Sequence, residues 1–143
     1  MTDLVLDVSV AVKWALPTAD EQLKLEAFQL LERYSTKEID FLVPDVFWAE
    51  TGNVLWKAAR QGRHSRTAAE DAMSAMLDRD FPTISSLDLL PDALDIALSS
   101  GCAVYDSLYV ALALHTRTQF VTADERLVNA LAARFPVKWL GTI

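Results

Sequence analysis

Val104-Tyr105-Asp106-Ser107-Leu108-Tyr109-Val110-Ala111-Leu112-Ala113-Leu114 is apolar nearly all round at helical spacing, so it reads as a buried helix. A few residues on, Phe120-Val121-Thr122-Ala123-Asp124 reads as a short apolar strand that ends in an acid. A strand without polar alternation is buried on both faces, and a helix without a polar face belongs inside a layered core. Together they specify a parallel sheet covered on both sides.

Outward from this stretch the same unit repeats. Apolar runs at Leu4-Val5-Leu6, Phe41-Leu42-Val43, Phe81 to Ile84 and Val137 to Leu140 are strand candidates. Helical periodicity fills about 20–34, 45–61, 65–79, 88–100, 105–116 and 124–134. Asp45 after Pro44, Ser65, Asp88 and Asp124 are placed as helix caps, and an early turn around Val10 to Leu16 ends at Pro17. The four glycines and five prolines fall singly, among them Pro91 and Gly101, with no linker, repeat or low-complexity tract. The expectation is a three-layer α/β/α sandwich around four or five parallel strands. At 143 residues it forms one domain spanning 1–143.

Hydrophobic residues make up 52% and charged residues 23%, a balance that excludes intrinsic disorder and leaves apolar surface for a protein partner. The net charge of −7 argues against a sequence-independent basic binder of nucleic acid. The single cysteine, Cys102, forms no internal disulfide, and two histidines, His64 and His115, are too few for a histidine-rich metal site. No apolar run reaches 18 residues, and Met1-Thr2-Asp3 carries an acid where a secretory leader carries bases. A reducing compartment, the cytoplasm, is expected.

Four acids stand out by position. Asp7 directly follows the first strand and Asp124 follows the strand at Phe120, the ends at which open parallel sheets bind ligands. Either also suits a plain helix cap. Asp106 opens the buried helix. Glu50 lies mid-helix on an apolar stripe between Val46 and Val54, with Asn53 one turn on as a possible donor, or it pairs with Lys57 or Arg60 at the surface. Three or four carboxylates at one sheet edge repel unless divalent cations or protons neutralise them. An oxygen-only set, with no histidine or cysteine nearby in sequence, suits Mg2+ or Mn2+ and disfavours zinc. Such ions serve phosphodiester hydrolysis.

At these residues the sequence resembles the PIN-domain family, specifically VapC-type toxins of toxin–antitoxin pairs. Leu4 to Trp14, with Asp7 and Ser9, is similar to the first family motif, and Val43-Pro44-Asp45 through Glu50 to Leu55, with Asn53, to the second. Val104 to Ala113 is similar to the third and Val121-Thr122-Ala123-Asp124-Glu125-Arg126-Leu127 to the fourth, so the match runs along nearly the whole chain. Gly101-Cys102-Ala103 matches nothing in that pattern.

The resemblance implies a metal-dependent endoribonuclease, commonly a homodimer, inhibited by a cognate antitoxin. It implies Asp7 and Asp106 as principal metal ligands, Glu50 and Asp124 completing an acidic quartet, and Ser9, Asn53 and Thr122 close to the site. The different-class alternative is a catalytically silent PIN scaffold that binds RNA or protein. A phosphoacceptor receiver domain would need an acidic pair after the first strand, and a haloacid-dehalogenase-like phosphatase Asp-x-Asp, where this chain has Asp7-Val8-Ser9.

Lys57, Arg60, Arg63 and Arg66, with Arg117 and Arg126, are either rim contacts to RNA phosphate or solvated positions; for Lys57 and Arg60 a helix end favoured by the macrodipole is the simpler account. Trp14, Trp48 and Trp56 are read as core or interface, and Cys102 and His115 as structural.

Overall fold

β1 (Thr2–Leu6) is the central strand of a five-stranded, all-parallel sheet in the order β3-β2-β1-β4-β5. β2 (Ile39–Pro44) and β4 (Gln119–Thr122) flank it, with β3 (Thr83–Ile84) and β5 (Val137–Trp139) at the edges. The structure is a computed structural model that describes residues 2–16 and 22–143. In register, Val5 stands between Leu42 and Phe120, and all three are buried. This two-sided burial explains why these strands show no polar alternation.

Seven helices cover the sheet: α1 (Val8–Ala15), α2 (Lys24–Ser35), α3 (Val46–Arg60), α4 (Arg66–Asp78), α5 (Ser86–Ser100), α6 (Val104–Thr116) and α7 (Glu125–Leu131). α1 packs on α2, α3 and α4, while α6 packs on α5 and on β1, β2 and β4. The chain moves outward from β1 to β3, then returns across the sheet to β4. Right-handed crossovers therefore place the α5–α6 pair on the opposite face from α1–α4. Every residue of α6 from Ser107 to Ala113 is buried, as its all-round apolar pattern requires. The α/β/α sandwich expected from the sequence is the observed fold.

Several local expectations need correction. α5 starts at Ser86 rather than residue 88, because Ser85 caps it by accepting from the Leu87 N–H at 3.2 Å; Asp88 lies in its first turn. Asp45 precedes α3 but makes no side-chain cap. Its carboxylate instead accepts from the Ser86 N–H at 3.0 Å and from the Ser86 hydroxyl, tying the starts of α3 and α5 together. Pro91 lies inside α5 on its exposed side, so it punctuates nothing. Ser65 caps α4 as expected, through the Ala68 N–H at 3.0 Å. The expected stop at Pro17 and the first two positions of the helix expected from residue 20 lie outside the described residues.

The topology fixes where a site belongs. The connections leaving β1 and β4 run in opposite directions, opening a crevice at their carboxyl ends. Asp7 is the first residue after β1, and Asp124 stands just beyond β4.

Candidate active site

Asp7 is held by a preorganised pair of hydroxyls. Ser9 Oγ donates to Asp7 Oδ2 at 2.6 Å, and Thr122 Oγ1 donates to the same oxygen at 2.7 Å. Each hydroxyl has one proton, so each must accept elsewhere: Ser9 Oγ from the Ala123 N–H at 2.9 Å, Thr122 Oγ1 from the Asp124 N–H at 3.1 Å. The first turn of α1 and the end of β4 are thus laced through one carboxylate oxygen. Burial pushes the Asp7 carboxyl above its ordinary value and the Asp124 charge adds to this, while Ser9, Thr122 and the Val8 N–H oppose it.

Glu50 projects from the middle of α3 towards the same cleft. Tyr109 Oη, from fully buried Tyr109 on α6, donates to Glu50 Oε1 at 2.8 Å. Burial raises the Glu50 carboxyl, the Tyr109 hydrogen bond lowers it, and the Asp7 and Asp106 charges raise it further. Burial, followed by the Glu50 charge, pushes the phenol up as well, so Tyr109 stays a donor. Asn53 lines the cleft beside Glu50 but makes no hydrogen bond to it among the described residues. The donor to Glu50 is Tyr109, a residue the sequence reading quoted inside the third motif without assigning it a role.

Asp106 sits in the first turn of α6 and caps nothing; Ala103 occupies the cap position. Among the described residues Asp106 has no hydrogen-bond donor or ion-pair partner. Burial raises its carboxyl, and the charges of Asp7 and Asp124 add to the rise. Asp124 does serve as a cap, with Oδ1 accepting from the Arg126 N–H at 3.1 Å and the Leu127 N–H at 3.3 Å. The capping and site readings of Asp124 therefore coexist in one side chain.

The four acids share an open cleft of about 650 Å³ with Ser9, Asn53 and Tyr105, and no lysine, arginine or histidine lines it. Among the described residues no three Asp, Glu, His or Cys side chains converge on one point as a closed metal cage. That geometry does not fit structural zinc, which takes four protein ligands. It fits Mg2+ or Mn2+, since a hard ion of this kind keeps waters and needs only one or two carboxylates beside a substrate phosphate. Asp106, with no protein donor, and Asp7, with one oxygen taken by hydroxyls, are the two acids suited to hold it.

Residues outside the cleft sort differently. Trp14 is buried, donating Nε1–H to the Ala27 carbonyl at 2.7 Å, and Trp48 is partly buried against Phe81. Trp56 is 53% exposed, which corrects its assignment to the core. Arg63 bonds Gln61 and Arg66 pairs with Glu70. His115 pairs with Asp92 at the surface, and Cys102 is a free thiol at the margin of the core.

The family pattern of the PIN domain matches residues 4–132. The chain is 31% identical over 139 residues to Ribonuclease VapC3 from Pyrobaculum aerophilum, covering 93% of this chain and 95% of that protein. Among solved structures it resembles PAE2754 from Pyrobaculum aerophilum, at 23% identity and a TM-score of 0.69 over 99% of this chain and 85% of that one. It also resembles a chain of a toxin–antitoxin complex from Klebsiella pneumoniae, at 18% identity and a TM-score of 0.61 over 94% and 95% of the two chains. With an α/β/α sandwich whose acids meet at the switch point between β1 and β4, and a family match along most of its length, the chain belongs to the PIN-domain family, in its VapC-type group.

Proposed function

We propose that this protein is a metal-dependent endoribonuclease toxin that hydrolyses RNA phosphodiester bonds and is silenced by a cognate antitoxin. The observation that carries the reading is the cleft in which Asp7, Glu50, Asp106 and Asp124 gather with no basic side chain in the lining, three of them pushed above their ordinary pKa. So costly an arrangement serves cation binding and proton transfer better than it serves the fold. Its relatedness to a protein named a ribonuclease supports the substrate class.

Asp7 and Asp106 hold the ion, Mg2+ with Mn2+ as a substitute. When bound, such an ion offsets charge building on the phosphoryl oxygens and acidifies water. Ser9 and Thr122 keep Asp7 in one orientation. Glu50 and Asp124 flank the attacking water, and Glu50 takes its proton at Oε2, the oxygen Tyr109 leaves free. A carboxylate raised by burial is a better base near neutral pH than an ordinary one. Likeness to a chain from a toxin–antitoxin complex supports an antitoxin that places a basic side chain among the acids. The homodimer expected from the family completes the reading.

The test is incubation of partner-free protein with total RNA in Mg2+, Mn2+ or EDTA, beside Asp106→Asn, with mapping of new 5′ ends. Discrete, metal-dependent ends absent from the variant are expected. A folded protein that binds RNA and never cuts it would instead be the silent scaffold. The antitoxin complex should be inactive and regain cleavage when the antitoxin is degraded.

A further inference from the structure

α3 continues past the acids with an outer stripe that the proposed chemistry leaves unused. Ala49, Asn53, Trp56 and Arg60 are spaced four, three and four residues apart, so they lie along one side of the helix. That side faces away from Phe47, Thr51, Leu55 and Ala58, which are the buried residues of α3. Ala49 and Asn53 line the acidic cleft. One turn further, Trp56 is 53% exposed and carries the Arg60 guanidinium 5.2 Å from its ring centroid. Lys57 lies one residue further round. At 1.5 Å per residue, Trp56 stands about 9 Å along the axis from Glu50.

Three features distinguish this stripe from an ordinary solvated helix end. Lys57 and Arg60 pair with no acid among the described residues, whereas Arg33 pairs with Glu38 and Arg66 with Glu70. An indole half in water contributes little to the core, yet with a guanidinium stacked on it forms a flat cationic platform. On the opposite wall, Tyr105 adjoins Asp106, lines the cleft and is 65% exposed. Aromatic faces therefore stand on both sides of the acids. By contrast the exposed leucines of α5, Leu87, Leu90, Leu94 and Leu98, lie among acids with no lysine or arginine on that helix.

Resting on the nuclease reading, we propose that the Trp56–Arg60 platform and Tyr105 are the binding surface for single-stranded RNA on either side of the scissile phosphate. Bases splayed from an unpaired segment stack on Trp56 and on Tyr105, and Lys57 and Arg60 take the phosphates leaving the cleft along α3. Stacking selects unpaired RNA because a paired base has no free face to offer. The cations supply, next to the site, the attraction that a chain of net charge −7 lacks elsewhere.

The experiment measures binding without turnover. In the Asp106→Asn background, a fluorescein-labelled single-stranded oligoribonucleotide of mixed sequence is titrated by anisotropy, beside the same strand annealed to its complement. The single strand should bind more tightly than the duplex. Trp56→Ala and Tyr105→Ala should each weaken it by about tenfold to a hundredfold, Trp56→Phe should restore most of the loss, and Arg60→Ala should reduce the salt dependence. With Asp106 intact, Trp56→Ala should raise KM more than it lowers kcat, with Mn2+ affinity unchanged. Equal affinity for duplex, indifference to Trp56 and Arg60, or a change of oligomeric state in Trp56→Ala would overturn the proposal, the last by making this face a protein interface. A protein that binds the strand through Trp56 yet never cuts would fail the nuclease reading alone. A nuclease whose KM ignores Trp56 would fail this proposal alone.

Discussion

Tyr109 Oη and Glu50 Oε1 meet at 2.8 Å, joining the buried centre of α6 to the middle of α3 across the floor of the acidic cleft. The bond favours the ionised carboxylate against burial and against the charges of Asp7 and Asp106. Deleting it favours the protonated form, so a higher pH is needed to regain the base. Tyr109→Phe keeps the ring stacked on Phe120, at 5.2 Å between centroids, and should fold. Its kcat should fall by about tenfold, as for loss of one charge-assisted hydrogen bond, and the acid limb of its pH–rate profile should move upward. An unmoved acid limb would reduce this bond to a structural strut.

Asp106→Asn separates activity from stability. Cleavage should fall by about two to three orders of magnitude or more, as when a charge-stabilising group is removed from a reacting centre. The fold should gain, because the variant relieves a carboxylate with no donor that faces Asp7 and Asp124. A higher Tm together with lost cleavage is the expected pair of results. A lower Tm would mean that Asp106 has a stabilising partner.

The pH dependence of stability follows from the direction of three shifts. Asp7, Glu50 and Asp106 are all raised above their ordinary values of 3.8, 4.5 and 3.8 in the folded protein. Their favourable contribution is therefore fully present below those values and is lost as pH rises through the raised ones. In EDTA, Tm should fall from mildly acidic to neutral pH. Mn2+ at a hundredfold over its Kd should restore about 2.7 kcal/mol, with the largest gain at the upper end of that range. Calorimetry at several pH values with and without Mn2+ checks both signs.

Thr122 tests the lacing of Asp7. Thr122→Val keeps the shape of a fully buried side chain but removes the donor to Asp7 Oδ2 and the acceptor for the Asp124 N–H. Denaturant unfolding should show a loss of about 2 kcal/mol, while Thr122→Ser should lose far less. The Val variant should also bind Mn2+ more weakly, since Asp7 is no longer held in one orientation.

The sequence revealed much of this architecture because the signals are local. Apolar runs and helical periodicity give the strand–helix alternation, and the strand ends give Asp7 and Asp124. The position of Asp106 on a helix too apolar to be exposed gives the third acid. Strand order is different in kind: nothing local says that β4 docks beside β1 rather than beyond β3. The same holds for the partner of Glu50. Asn53 was the nearest donor along α3, but the donor is Tyr109, on a helix packed across the cleft and hidden in a stretch that reads as plain core. Asp45 and Ser86 likewise pair across helices, so the cap expected at Asp45 was spent elsewhere. Trp56 shares an apolar motif with buried neighbours, and only the packing of α3 shows which side of the helix it takes.

The strand order has a consequence for the newborn chain. β1 is made first, yet its second neighbour, β4, is nearly the last strand to leave the ribosome, and Asp124 follows it. Until that strand arrives, the carboxyl end of β1 has no Thr122 to steady Asp7 and no crevice beside it. An arrested, truncated or nicked chain lacking β4 is therefore harmless as well as unfolded. For a protein whose chemistry endangers the cell that makes it, completion of synthesis is itself the safety catch.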